Sequence, residues 1–190
     1  MTIFPPLFPA SLRWSAWTGA EAGLEHLDLG RSADGIIASA VVFGVDGPVR
    51  FGLRYRLVID DLWRVRDARL ETTAGQRLHL ESDGKGRWRL DGHAAPGLDD
   101  CIDIDIEATP FTNTLPIRRL DLADGQTELI RLAYIRVPSL SVAPGRQRYT
   151  AMKAGTRYRF ESLDHDFSAN LPVDQQGLVR DYPSLFRRLA

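Results

Sequence analysis

A single cysteine, Cys101, occurs in 190 residues, which excludes an intramolecular disulfide and a cysteine-only metal site. Lysine is nearly missing as well. Of 24 cationic side chains only Lys85 and Lys153 are lysine, and the rest are arginine, whose planar fork can hold a carboxylate or phosphate with two hydrogen bonds. The formal net charge is -1, so the surplus of cations that a general nucleic-acid binder needs is absent. No run approaches the ~20 apolar residues required to cross a bilayer as a helix, and stable membrane insertion is not expected. Residues 1–9 carry neither a basic region nor a long apolar stretch, so no export signal is expected and a cytoplasmic location is the default.

Signatures of common chemistry are also lacking. There is no Gly-x-Ser-x-Gly, no Gly-x-x-x-x-Gly-Lys and no Gly-x-Gly-x-x-Gly. His26, His79, His93 and His165 are dispersed without metal-ligand spacing, and Cys101 precedes an Ile–Asp strand where a small buried residue fits better than a reactive thiolate. Asp164-His165-Asp166 reads as a polar loop. The expectation is a chain without metal or cofactor, and not an enzyme.

What is present is alternation. Phe51, Leu53, Tyr55, Leu57 and Ile59 share one parity, with Arg54 and Arg56 on the other. The same period of two runs through Leu62–Leu70, Leu78–Glu81, Arg87–Leu90, Ile102–Ile106, Leu129–Val137 and Thr156–Glu161, and it puts successive side chains on opposite faces of a sheet. Turn pairs such as Ala74-Gly75, Asp83-Gly84, Asp91-Gly92 and Asp124-Gly125 separate the runs. With 44% hydrophobic and 26% charged residues, this fits one all-β domain over 1–190, an antiparallel meander forming a curved sheet or half-barrel. Ala74–Ser82 and Ala154–Ser162 match at five of nine positions, which suggests an internal duplication within one sheet or barrel. Helix is expected only at the C-terminus, over 181–189, where Pro183 suits a first turn and Leu185 and Leu189 lie one turn apart. Residues 21–27 read equally as helix or strand.

Three groups of side chains stand out as candidate chemistry. Asp103, Asp105 and Glu107 share one face of a strand, and cross-strand pairing with Arg54, Arg56, Arg64 or Arg66 is the expected arrangement. Thr109-Pro110-Phe111-Thr112-Asn113-Thr114-Leu115-Pro116 holds two prolines and several hydroxyl and amide groups, as a rigid inter-strand loop or a ligand-binding one would. Trp14, Trp17, Trp63, Trp88, Tyr149, Tyr158 and Tyr182 supply aromatic faces that pack a core or stack on a sugar ring.

Together with Trp14 and Gly23-Leu24-Glu25-His26, the segments Tyr55–Arg66, Gly86–Trp88, Leu98–Asp105, Thr109–Arg119, Gln147–Tyr149, Tyr158–Phe160 and Val173–Pro183 resemble the bacterial "putative glycolipid-binding" family. The stretch Thr109–Arg119 is the most specific of them. The resemblance implies a curved antiparallel sheet similar to the half-barrels of bacterial lipoprotein carriers, and an amphipathic small molecule or glycolipid as the partner. Trp63, Arg66, Trp88, Asp103, Asp105, Asn113, Arg118, Tyr149 and Tyr158 are the expected ligand-binding residues. Two alternatives stand beside it: an enzyme on a small glycosylated or phosphorylated substrate, with Asp103 or Asp105 as general base near Arg118, and a partner-binding protein with an exposed strand edge.

Overall fold

The computed structural model describes residues 2–189. Eight strands follow one another in a first sheet: β1 (Ala10–Ala16), β2 (Gly19–Ser32), β3 (Gly35–Asp46), β4 (Val49–Ile59), β5 (Val65–Thr72), β6 (Arg77–Ser82), β7 (Trp88–Leu90) and β8 (His93–Ala94). A second sheet holds β9 (Asp103–Ile106), β10 (Thr127–Ile135), β11 (Val142–Lys153), β12 (Arg157–Ser162) and β13 (Phe167–Pro172) in the order β13-β12-β11-β10-β9. The chain then returns to the first sheet as β14 (Asp181–Tyr182) and β15 (Phe186–Arg188), with β15 pairing on β1.

The alternation fixes which face of the first sheet is buried. Ala10, Leu29, Ala38, Leu57, Ala68, Leu80 and Leu90 stand in one cross-strand row, and Leu57, Ala38, Ala68 and Leu80 are fully buried. From Ala10 to Leu80 small and large side chains alternate along that row, which fits them into the narrowing interior of a sheet that curls into a half-barrel. The opposite parity faces water as a polar row of Asp28, Ser39, Arg56, Arg69 and His79.

The concavity is filled, not open. A 3₁₀ turn, Phe111–Asn113, runs into the one α-helix among the described residues, α1 (Thr114–Leu120), and Phe111 and Leu115 join the half-barrel core together with Ile104, Ile106, Ala133 and Ile135. Ile117, two residues on, packs instead with Tyr149, Tyr158, Phe160 and Leu171 of the second sheet. α1 is therefore wedged between the two sheets. Each fully buried side chain of this size adds roughly 1.5–3 kcal/mol.

This differs from the expected arrangement in four respects. The helix lies at 114–120, where a loop was expected; Pro116 falls in its first turn, where the missing N–H leaves no bond unmade. β9 pairs with β10 in parallel, so β9–α1–β10 is a strand–helix–strand crossover, the usual way to join parallel neighbours, and the meander is not antiparallel throughout. Residues 181–189 form a hairpin and not a helix. Pro183 opens a tight turn, Ser184 takes a left-handed φ of 70°, and Tyr182 pairs with Phe186. Pairing with the open edge of β1 outweighs a helical preference that eight or nine residues cannot sustain alone. The two matching segments occupy equivalent hairpin positions, with Gly75 and Gly155 both at positive φ, but β6 and β12 lie in different sheets.

Candidate ligand site

β9 ends in a turn at Glu107-Ala108, and the chain enters the 3₁₀ turn beneath the second sheet. That path brings the acidic strand and the Thr–Asn segment onto one wall of a cleft of about 400 Å³. Asp105, Glu107, Thr109, Asn113, Tyr134, Arg136, Arg146 and Gln147 contribute polar groups, and Leu132, Phe160, Phe167, Tyr182, Leu185 and Phe186 contribute apolar surface.

A hydrogen-bond chain holds the polar wall in place. Thr112 Oγ1 donates to Asp105 Oδ1 at 2.8 Å, and Gln147 Nε2 donates to Asp105 Oδ2 at 2.6 Å. The Tyr149 hydroxyl reaches Asn113 Oδ1 at 2.9 Å and Gln147 Oε1 at 3.2 Å. Asn113, Gln147 and Tyr149 are buried. Burial pushes the Asp105 carboxyl above the usual range, opposed by Thr112 and Gln147, and the Glu107 charge raises it further. No arginine lies within ion-pair reach of Asp105 among the described residues. Each carboxylate oxygen keeps acceptor capacity beyond the bond it already makes, so Asp105 can still receive a ligand hydroxyl.

A second recess of about 230 Å³ shares Glu107, Leu185 and Phe186 with this cleft. Its floor is small: Ala16, Ala22, Gly23 and Gly44, with Trp14, Val42 and Phe51 around them. A side chain at Gly44 would strike the Phe51 ring, its Cβ falling 2.5 Å from the nearest ring carbon. At the base sits Glu25, 2% exposed, which accepts from the Tyr55 hydroxyl at 2.6 Å and from Thr109 Oγ1 at 2.7 and 2.8 Å. Burial pushes this carboxyl up to about 7, against the lowering pull of the two hydroxyls. Glu25 escapes sequence reasoning because residues 21–27 read as helix or strand alike. Read as a strand, the parity of Leu27 and Leu29 would have turned it inward.

The nine expected ligand residues do not converge. Asp105 and Asn113 line the cleft, with Tyr149 buried behind them. Trp63 and Arg118 meet in a different cleft, with the guanidinium carbon 4.1 Å from the ring centroid. Arg66 donates to the Ser82 carbonyl at 3.0 Å and lies against Gly84. Trp88 is in the core, donating to the Cys101 carbonyl at 2.7 Å. The buried Tyr158 hydroxyl accepts from the Gly155 N–H at 3.0 Å. Asp103, 1% exposed, is held by Arg119 of α1 at 3.0 and 2.6 Å. Arg54, Arg56, Arg64 and Arg66 are thus not the partners of the acidic strand, which lies in the other sheet; Arg64 and Arg66 pair with Asp60 instead. On the outer face Asp67, His79 and Glu81 come within 4.8 Å of one another, a grouping that sequence spacing did not signal. Arg69 already pairs with Asp67 at 3.1 Å, and Arg89 approaches Glu81 at 3.9 Å.

Among the described residues no helix is long and apolar enough to cross a membrane. The chain is 44% identical to a DUF1089 family protein from Pseudomonas aeruginosa whose crystal structure is known. The match covers 88% of this chain and 92% of that one, with a TM-score of 0.80. No curated protein matches. The family model described as "Putative glycolipid-binding" matches residues 11–188, and the chain belongs to that family.

Proposed function

We propose that this protein binds, without chemical conversion, an amphiphile carrying a sugar, with the sugar in the acidic cleft and the apolar part in the adjoining recess. One observation carries the reading. A fixed set of hydroxyl-binding groups, Asp105, Asn113 and Gln147, stands next to a largely apolar recess, with Glu25 at its base, that shares the wall of Glu107, Leu185 and Phe186. Carboxylate and amide groups grip paired sugar hydroxyls, and Tyr134, Tyr182 and Phe186 offer rings for the sugar's apolar face. The family description points the same way.

The test is a thermal unfolding series with octyl glucoside below its micelle threshold. At ~100 times its dissociation constant a bound ligand adds about 2.7 kcal/mol. The Asp105→Asn variant should lose that gain. Equal stabilisation of wild type and variant would remove the acidic cleft from the proposal.

A second reading has one observation in its favour. Asp105 faces a cleft, titrates above the usual range and has no arginine partner, as a general acid or base would. Asp103, neutralised by Arg119, does not meet that description. Turnover of a nitrophenyl glycoside that disappears in Asp105→Asn would favour this reading over simple binding.

A further inference from the structure

The cleft that holds Trp63 and Arg118 shares no lining residue with the acidic cleft or its recess. It measures about 660 Å³, within the range of small-molecule sites. Four arginines line it, and three are matched to carboxylates: Arg31 to Asp61, Arg64 to Asp60 at 2.9 Å, and Arg119 to Asp103 at 2.6 Å. Arg118 is the exception. It donates to the carbonyls of Gln176 and Pro5, and among the described residues no carboxylate comes within 4.0 Å of it. Two carboxylates act on it at longer range, Asp174 and Asp121, and Asp121 also lines the cleft. Asp174 pairs with Arg188 at 2.6 Å, and Asp121 accepts the Ile3 N–H at 2.8 Å.

Arg118 is also desolvated. Its Nε is buried without a hydrogen-bond partner, and its guanidinium lies 4.1 Å from the Trp63 ring centroid and 5.4 Å from that of Phe4. Burial lowers its pKa to about 10, which leaves it a cation at neutral pH. A stacked guanidinium directs its donors sideways, and only two of its five N–H groups are engaged. A half-buried cation with no direct ion-pair partner, and only the longer-range charges of Asp174 and Asp121 to offset it, is costly, and an incoming anion would relieve it.

The other half of the site is a held aromatic floor. Trp63 has φ 62°, a left-handed conformation that is a true outlier for so bulky a residue. The Asp60 carboxylate fixes the turn by accepting the Leu62 and Arg64 N–H groups, each at 3.0 Å, and the Arg64 Nε at 2.9 Å. Backbone strain of this kind survives where surrounding bonds over-determine it, and here it sets the indole against Arg118. The apolar lining consists of the largely buried Phe4, Leu7 and Ile36 with Ile102 beside them, and of Leu62, 60% exposed, at the rim.

From this geometry we infer that the Trp63–Arg118 cleft is a second ligand site, which takes an anionic amphiphile: an oxyanion group, phosphate or carboxylate, on Arg118, and an apolar chain along Trp63, Phe4 and Leu62. The inference is independent of what the acidic cleft binds.

The experiment is calorimetric titration with monomeric dodecyl phosphate, and separately with inorganic phosphate, on wild type, Arg118→Gln, Leu62→Glu and Asp105→Asn. Dodecyl phosphate should bind wild type and Asp105→Asn alike. It should weaken by at least about tenfold in Arg118→Gln, a modest loss for removing one partner of a desolvated charge pair. Leu62→Glu places a like charge on an exposed turn, and should weaken binding even if Arg118→Gln fails to fold. Inorganic phosphate binding as tightly as dodecyl phosphate would overturn the amphiphile assignment. No binding to wild type, equal binding by Leu62→Glu, or loss in Asp105→Asn would overturn the site.

Discussion

Gln147 on β11 reaches past β10 to Asp105 on β9, with its Nε2 2.6 Å from the carboxylate. The bond links strands that are not neighbours, and it sets both groups on the wall of one cleft. Asp105 is held there against the cost of burying its charge. An Asp105→Asn chain should therefore unfold in urea within about 1 kcal/mol of wild type at pH 7, or be slightly more stable, since a neutral amide is easier to bury. Loss of ligand binding without loss of stability would mark a residue kept for recognition. A drop of several kcal/mol would mark a structural one.

Glu25 should make stability fall with rising pH. Below about pH 4.5 the carboxyl is protonated in both folded and unfolded chains. Between there and about 7 the unfolded chain releases its proton first, so the fold loses stability across that window and no further above it. The shift corresponds to about 3 kcal/mol at 1.36 kcal/mol per unit. Urea titrations from pH 4.5 to 8 on wild type and Glu25→Gln measure it directly. The variant should show a shallower decline, and parallel curves would mean that Glu25 titrates normally.

Asp103 and Arg119 tie β9 to α1 through a carboxylate that is 1% exposed. Arg119→Met leaves that charge buried and alone, and should destabilise the fold by about 3–5 kcal/mol. Adding Asp103→Asn in the same chain should recover much of the loss, as a double-mutant cycle in urea will measure.

Phe111, fully buried where the 3₁₀ turn meets the half-barrel, should be among the most costly side chains to truncate. Phe111→Ala is expected to lower unfolding free energy by about 3–5 kcal/mol. Chemical denaturation followed by tryptophan fluorescence gives the value, and a loss under 1 kcal/mol would mean that the concavity is not packed as described.

The strands were legible in the sequence because period-two alternation is local, as at Phe51–Ile59, where Leu53, Tyr55, Leu57 and Ile59 all turn inward. The helix was not, for a physical reason. Phe111 and Leu115 face the half-barrel while Ile117 faces the other sheet, so burial on both sides leaves no amphipathic stripe to read. The C-terminal hairpin was hidden because Pro183 suits a helix start and a turn equally, and only the free edge of β1 decides between them. In the site, Asp105 and Asn113 could be named from residue type and position. Their partner Gln147 could not, because strand order across the second sheet is set by the parallel β9–β10 crossover.

The most direct measurement is an amide NMR titration of the protein with monomeric octyl glucoside. The sugar should shift the signals of Asp105, Asn113, Tyr134, Gln147 and Tyr182, the alkyl chain those of Gly23 and Gly44, and Asp105→Asn should abolish both sets. Shifts confined to other residues, or none at millimolar glycoside, would contradict binding of a sugar-bearing amphiphile in this cleft.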